Sequence, residues 1–151
     1  MIEKKKIFRV ARGVYTVHNN AEVIGFAFSP FYYGLTYAMS YYNVWEERAN
    51  PSIVTTRIVR GGQRSSMGMN ISIFRLPRHL FFGYTLVKGD LFYYPVSDLE
   101  KVLIDLVYFD INLRGEIIAR LISKLNKQKL RDYMLRCPEN LRKKVIEFMR
   151  E

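Results

Sequence analysis

Five arginines, with no acidic residue among them, stand between positions 57 and 78. They flank a stretch rich in glycine and serine, and this composition predicts a mobile basic loop between two antiparallel strands. Arginines on such a loop can reach a phosphate backbone or wrap an acidic protein surface. We therefore predict a nucleic-acid or partner binding site made of Arg57, Arg60, Arg64, Arg75 and Arg78. The alternative explanation is a solvated loop rim without a function.

Two of these arginines are placed next to each other by the same prediction. If the loop joins antiparallel strands, Arg57 and Arg75 become cross-strand neighbours. Like charges held together repel, and a bound anion offsets that repulsion. The predicted pairing therefore favours the binding interpretation of the loop.

A second group of side chains suggests metal-dependent phosphate chemistry, and it consists of Asp90, Asp98, Glu100, Lys101 and Asp105. A metal nuclease usually places acids on adjacent strands and follows them with a Glu-x-Lys step. Here Glu100 and Lys101 are contiguous within a predicted helix. An enzyme is therefore the second interpretation, and we predict no catalytic residue, no bound metal and no cofactor.

Asp105 is unusual because it interrupts an apolar run that extends over residues 102–109. A carboxylate at such a position is expected to be half buried and to need a partner. An arginine or a backbone amide is the predicted partner, in preference to a metal ion.

The remaining residue types that often carry chemistry give no constellation. His18 and His79 stand far apart, and no pattern of acids accompanies either one, so a metal site or a catalytic triad is not predicted. Gly61 and Gly62 lack the Lys-Ser/Thr step of a phosphate loop and are assigned to a turn. Cys137 is the single cysteine and cannot form an internal disulfide, which favours a cytoplasmic location.

The charge of the chain favours polyanionic partners. Its 24 Lys and Arg against 14 Asp and Glu give a net charge of +10 on 151 residues, and 49% of the residues are apolar. An apolar fraction of this size is enough for a core, so a disordered basic tail is excluded. A positive field predicts weak, salt-dependent binding of DNA or RNA, and mere solubility is the alternative.

A membrane interaction is not predicted. Residues 23–45 carry no charge, but they include Ser29-Pro30 and several tyrosines, which are unlike a bilayer span. The segment is better explained by two short elements joined at Ser29-Pro30. No signal-peptide pattern opens the sequence, and this again favours the cytoplasm.

Periodicity predicts an α+β fold in a single domain over residues 1–151, mixed over 1–95 and helical over 96–151. The first part is predicted to hold a small, mainly antiparallel sheet with N-terminal helices, including a hairpin about Lys88-Gly89. The second part is predicted to be a bundle of about four helices. Its signals are a capping box of Ser97 with Glu100, a cap at Asn126 and a helix start at Pro138.

Several short motifs lie in order between positions 12 and 148. They are Arg12-Gly13-Val14-Tyr15, the segment 30–43, a strand with Arg57 before a basic loop, Phe82-Gly83-Tyr84, and Ser97-x-x-Glu100-Lys101-x-x-x-Asp105-Leu106. In this order they resemble the AbiEi family of abortive-infection antitoxins and virus-defence transcriptional regulators. The resemblance covers the part of the family that follows its winged helix. It implies a domain that neutralises a nucleotidyltransferase toxin.

Together these observations predict an antitoxin-like or regulatory binding domain of a defence or toxin–antitoxin system. It is expected to bind nucleic acid or a partner protein through basic surfaces, and not to be an enzyme. The resemblance implies a nucleotidyltransferase-type toxin as the protein partner. The alternative is a metal-dependent nuclease or another phosphate-chemistry enzyme.

Overall fold

The structure is a computed structural model that describes residues 6–18, 20–47 and 49–150. Within these ranges the strands are β1 (Phe8–Ala11), β2 (Val14–Thr16), β3 (Phe31–Tyr33), β4 (Ser52–Thr55), β5 (Gly62–Ser66), β6 (Met69–Arg75), β7 (Tyr84–Lys88) and β8 (Tyr93–Ser97). The α-helices are α1 (Leu35–Tyr41), α2 (Leu99–Tyr108), α3 (Gly115–Ser123), α4 (Lys127–Met134) and α5 (Glu139–Arg150). Two 3₁₀ helices cover Ala21–Phe28 and Arg78–Leu80.

Six strands form one mixed sheet in the order β5-β6-β4-β3-β8-β7, and β1 pairs with β2 in a separate hairpin. β4 is parallel to β6 and β3 is parallel to β8, whereas the other neighbours are antiparallel. The predicted fold, which had a small and mainly antiparallel sheet with N-terminal helices, is therefore wrong. The structure is α+β with a larger, mixed sheet, and helical elements are interspersed among the strands before the C-terminal helices.

The prediction fails where strands are covered on both faces. All three residues of β3 are buried, and so are the last four of β8. Strands buried on both faces read as continuous apolar runs and lack the alternation that identifies a half-exposed strand. β8 also continues through Pro95, a residue that the sequence places before a helix. The hairpin predicted about Lys88-Gly89 is confirmed as the pair β7 and β8.

The prediction that the glycine- and serine-rich stretch forms a mobile loop is also wrong. Residues 62–66 form β5, which pairs antiparallel with β6, and the chain reverses at Met67 and Gly68. Their φ angles of 51° and 74° suit a two-residue hairpin turn. The stretch lacks the β-branched and aromatic residues that favour strands and it begins with glycine, but pairing with β6 overrides that preference at this edge of the sheet.

Two adjacent tyrosines of β3 join the sheet to a layer on each face. Successive side chains of a strand point to opposite faces. The Tyr33 hydroxyl donates to the backbone carbonyl of Glu22 at 2.6 Å and so binds the longer 3₁₀ helix. The Tyr32 hydroxyl donates to the carboxylate of Asp105 on α2, on the opposite face. The sheet therefore lies between the 3₁₀ helix with the β1–β2 hairpin and the C-terminal helices.

The C-terminal helices agree with the sequence better than the sheet does. Asn126 caps α4, because its side-chain oxygen accepts from the Lys129 amide at 3.0 Å, as predicted. The prediction of a capping box formed by Ser97 and Glu100 is wrong. The Ser97 hydroxyl bonds to the Asp98 carbonyl, and Glu100 instead accepts the backbone amide of Asn126 at 2.9 Å. Glu100 therefore links α2 to the start of α4.

The uncharged segment 23–45 contains most of the longer 3₁₀ helix, then β3 and α1. Across the part of the chain that the structure describes, no helix has the length and apolar character needed to cross a bilayer.

Candidate functional site

The five arginines that the sequence assigns to one site are all exposed, but they lie on different strands, loops and a 3₁₀ helix. Arg57 follows β4, Arg60 lies between β4 and β5, Arg64 lies within β5, Arg75 ends β6, and Arg78 begins the shorter 3₁₀ helix. The predicted antiparallel pairing of Arg57 with Arg75 is wrong, since β4 and β6 are parallel and Arg75 pairs with Thr55. The arginines therefore form separate groups.

Arg64 joins two arginines from the beginning of the chain. Arg9, Arg12 and Arg64 line a cavity of about 360 Å³, which we call the arginine cleft. The other residues of its lining are Val10, Ala11, Phe28, Ser65, Ser66, Met67 and Ile71. None of the described residues in this lining is acidic, so the cleft is a concentrated site of positive charge.

The β1–β2 hairpin carries Arg9 and Arg12 to this place. Ala11 pairs with Val14, so Arg12 lies in the tight turn between the two strands, and a bulge separates it from Arg9. Bulges re-aim side chains at the edges of sheets. The buried hydroxyl of Ser66 donates to the Val10 carbonyl at 2.6 Å and fixes β1 against β5. The hairpin is therefore anchored and not a loose terminal arm.

Arg64 is held in position before any ligand arrives. Its guanidinium donates a hydrogen bond to the backbone carbonyl of Arg60 and lies 5.8 Å from the centre of the Phe28 ring. A cation over an aromatic face gains a modest electrostatic attraction. Ordering in the free protein reduces the side-chain entropy that binding removes. Arg64 is thus preorganised for a ligand.

Arg57 and the last two arginines of the predicted set lie elsewhere. Arg57 donates to the Ala27 carbonyl at 2.9 Å and so fastens the end of β4 to the longer 3₁₀ helix. Arg75 and Arg78 line a different cavity of about 400 Å³, together with Tyr108. Because β4 and β6 are parallel neighbours, their C-terminal ends lie side by side. This cavity lies at that end of the two strands.

A buried ion pair occupies the centre of the protein. Lys101 and Asp105 have side-chain exposures of 0% and 1%, and the ammonium of Lys101 contacts the Asp105 carboxylate directly. The same ammonium donates to the Tyr32 hydroxyl at 3.0 Å. We call these three residues the Lys101 network. The partner predicted for Asp105, an arginine or a backbone amide, is wrong, and the residue is wholly rather than half buried.

Burial dominates the protonation chemistry of this network. Loss of water raises the pKa of Asp105 above its usual range, while the Lys101 charge and the hydrogen bonds from Lys101 and Tyr32 act to lower it. Burial, together with the neighbouring carboxylate of Asp105, raises the pKa of the Tyr32 hydroxyl well above its usual value. Each polar group of the network has a partner within it. Its chemistry therefore serves the stability of the fold.

Three of the five short motifs named in the sequence analysis meet at the Lys101 network, namely the segment 30–43, Phe82-Gly83-Tyr84 and the motif from Ser97 to Leu106. The Lys101 ammonium lies 4.9 Å from the centre of the Phe82 ring. A Cβ atom on Gly83 would come within 2.8 Å of the Lys101 Cβ. The Tyr84 ring stacks on Tyr32 with 5.6 Å between ring centres. These motifs are therefore explained by packing around one buried cation.

Three of the four acids of the alternative enzyme hypothesis, Asp98, Glu100 and Asp105, are engaged in structural contacts. Asp98 accepts hydrogen bonds from the hydroxyls of Thr85 and Tyr133, and Lys129 lies 3.1 Å from its carboxylate. Asp90 is exposed beyond the far end of β7. Among the described residues, no three of the His, Cys, Asp and Glu side chains are grouped so that they could hold a metal ion.

The two histidines stand apart from these acids. The exposed ring of His18 lies 6.0 Å from that of Phe92. His79 is exposed in the shorter 3₁₀ helix and lines a cavity with Lys144 and Tyr108.

Sequence reasoning did not place Arg9, Arg12 or Tyr108 in a site. Arg9 and Arg12 had one local signal, since both are basic residues that stand close to the turn residue Gly13. Their approach to Arg64 depends on contacts between distant segments, which no local pattern shows.

Neither a scan against models of protein families nor a search of curated proteins found a match to this chain.

Proposed function

We propose that this chain is a non-enzymatic binding domain that holds the phosphate backbone of nucleic acid in the arginine cleft. The observation that carries the proposal is the convergence of Arg9, Arg12 and Arg64 on one cavity whose described lining has no acid. Planar guanidinium groups bind phosphate oxygens through pairs of parallel hydrogen bonds. Three of them at one cleft favour a polyanion over a neutral ligand.

The energetics of the free cleft support the same proposal. Three positive side chains around one cavity repel each other, and bound phosphates remove that repulsion. Part of the ordering is complete beforehand, since Arg64 is held by the Arg60 carbonyl and the Phe28 ring. None of the described residues in the lining belongs to an α-helix that could enter the major groove, so binding is expected to tolerate many sequences.

The biological role that we propose is regulatory and antitoxin-like, and it rests on the resemblance of the motifs to the AbiEi family. The protein partner would be a nucleotidyltransferase-type toxin, and the proposed location is the cytoplasm. Co-expression with such a toxin tests this role. Rescue of growth supports it, and growth arrest despite abundant folded protein contradicts it.

The enzyme hypothesis is weaker because the side chains that it requires are otherwise engaged. Lys101 and Asp105 bind each other in the core, and Glu100 holds the amide of Asn126. A catalytic group has to reach a substrate, and fully buried groups with internal partners cannot do so without an opening of the core. Binding therefore remains the function that the geometry favours.

Fluorescence anisotropy with labelled DNA at low salt tests the proposed site. The cleft variant carries Arg9→Ala, Arg12→Ala and Arg64→Ala. The control variant carries Lys124→Ala, Lys127→Ala and Arg150→Ala, which removes the same charge from exposed positions of the helical layer. We expect the cleft variant to bind about tenfold more weakly or worse, about 1.4 kcal/mol, and the control to bind like the wild type. Equal losses in the two variants would contradict a local site.

A further inference from the structure

Three neighbouring cavities meet at one tyrosine on the helical side of the molecule. Their volumes are about 250, 400 and 450 Å³, and Tyr108 lines all three. The first cavity shares Pro77 with the second and Lys144 with the third. We call these three adjoining cavities together the tyrosine groove. It is separate from the arginine cleft, whose lining contains none of these residues.

Tyr108 is both exposed and supported from behind. It is the last residue of α2, and 40% of its surface is accessible. Its ring meets the ring of Phe109 edge to face, with 5.0 Å between centres and an angle of 82°. Phe109 in turn contacts Phe74 of β6, with 5.1 Å between ring centres. This arrangement gives a rigid aromatic side chain that still has surface free for a ligand.

Charged side chains are distributed unevenly among the three cavities of the groove. Arg75 and Arg78 line the cavity at the end of β6, and Lys144 lines the two others. The acids Asp110 and Glu147 line the third cavity, which lies away from the two arginines. An anionic group is therefore attracted to the end of the groove with Arg75 and Arg78, beside the Tyr108 ring.

An aromatic ring and two arginines that line the same cavity match the chemistry of a nucleotide. Bases stack on aromatic side chains whatever their identity, because each base has a flat π face. Duplex DNA keeps its bases stacked within the helix, so a lone tyrosine on a surface groove selects bases that are already unpaired. A ligand of this kind is a single strand of DNA or RNA.

We propose that the tyrosine groove binds an unstacked base of single-stranded nucleic acid on Tyr108, while Arg75 and Arg78 hold the neighbouring phosphates. This inference rests on the proposed nucleic-acid function and adds a second contact to it. The arginine cleft recognises phosphate alone, whereas the tyrosine groove requires a base. Two of the arginines that the sequence singled out thereby receive a role distinct from that of Arg64.

A pair of labelled probes separates the two kinds of contact. The first is an oligothymidylate of about ten residues, and the second is an abasic phosphodiester of the same length and charge. The wild-type chain is expected to bind the oligothymidylate about fivefold more tightly or better, which is the range of a single stacked base. Tyr108→Ala should abolish this preference and leave the affinity for the abasic strand unchanged. Tyr108→Phe should retain the preference.

Tyr41 offers a closely matched control. It is the last residue of α1, its exposure is 43%, and it meets the ring of Tyr42 edge to face at 5.0 Å. Tyr41→Ala should keep the full preference for the oligothymidylate. Thermal melts of both alanine variants check that each is folded.

The outcomes separate this inference from the proposed function. If the wild type binds the two probes equally and the cleft variant binds neither, the result supports phosphate binding in the arginine cleft and overturns the base contact at Tyr108. A preference that survives Tyr108→Ala, or falls as much in Tyr41→Ala, would also overturn it. Absence of binding to either probe would overturn both proposals.

Discussion

Replacement of Lys101 by methionine would leave the carboxylate of Asp105 buried without its counter-ion. The two side chains are 0% and 1% exposed, so water cannot replace the lost ammonium. Removal of one partner from a buried pair destabilises proteins by about 3–5 kcal/mol. This is a large part of the total stability of an ordinary domain, which is about 5–15 kcal/mol. Urea unfolding followed by circular dichroism measures the loss.

The pH dependence of this variant has a defined sign. Burial raises the pKa of Asp105 on folding, so this carboxyl group contributes stability that is complete below its unfolded pKa of about 4. That stability is lost as the pH rises through the folded-state pKa. Lys101→Met removes a charge that lowers this pKa, so the folded-state value rises further. The variant should therefore lose less stability, relative to the wild type, at pH 5 than at pH 8.

A triple variant tests whether the stranded charge is the cause. Lys101→Met with Asp105→Leu and Tyr32→Phe removes every polar group of the Lys101 network. Replacement of a whole buried network by apolar side chains of similar size is often neutral or stabilising. The triple variant should therefore be more stable than Lys101→Met alone. An unchanged urea midpoint in Lys101→Met, or a triple variant that is less stable than it, would refute this reasoning.

Four further substitutions have defined expected outcomes. Gly83→Ala should lower the free energy of unfolding by about 2–5 kcal/mol in urea melts, because the residue has a φ of +81° and the new Cβ would clash with Lys101. Gly13→Ala is the control, because Gly13 has a similar φ of +75° but open space around it. Its free energy of unfolding should fall by only about 1–2 kcal/mol. Asn126→Ala should lose about 1 kcal/mol in the same assay through the missing cap of α4, and no loss would contradict the cap. Ser66→Ala should speed amide exchange in the β1–β2 hairpin and weaken DNA binding, and unchanged exchange would refute the anchoring role.

The C-terminal helices are predictable from sequence because their signals are local. Asn126 has the short polar side chain that caps a helix, and its bond to the amide of Lys129 spans three residues. Ile117 and Leu121 are buried on α3 at the spacing of one helical face. Glu100 was predicted to form a capping box with Ser97, but it accepts the backbone amide of Asn126 instead. A capping box and a link to a neighbouring helix use the same side chain, and only packing decides between them.

The sheet and the candidate site are less predictable because distant segments decide them. The residues of β5 favour a loop by propensity, and only pairing with β6 makes them a strand. The parallel pairing of β4 with β6 determines that Arg57 and Arg75 are not antiparallel neighbours. The approach of Arg9 to Arg64 joins segments more than fifty residues apart. No pattern within either segment reports such a contact.

The most direct test of the central claim is the salt dependence of DNA binding by the wild type and the two triple variants. Each phosphate contact contributes about −0.9 to the slope of log affinity against log salt on duplex DNA. Loss of Arg9, Arg12 and Arg64 should therefore make the slope shallower by about 2–3, while Lys124, Lys127 and Arg150 can be removed without a change in slope. An unchanged slope in the cleft variant, or the same change in the control, would contradict phosphate binding in the arginine cleft.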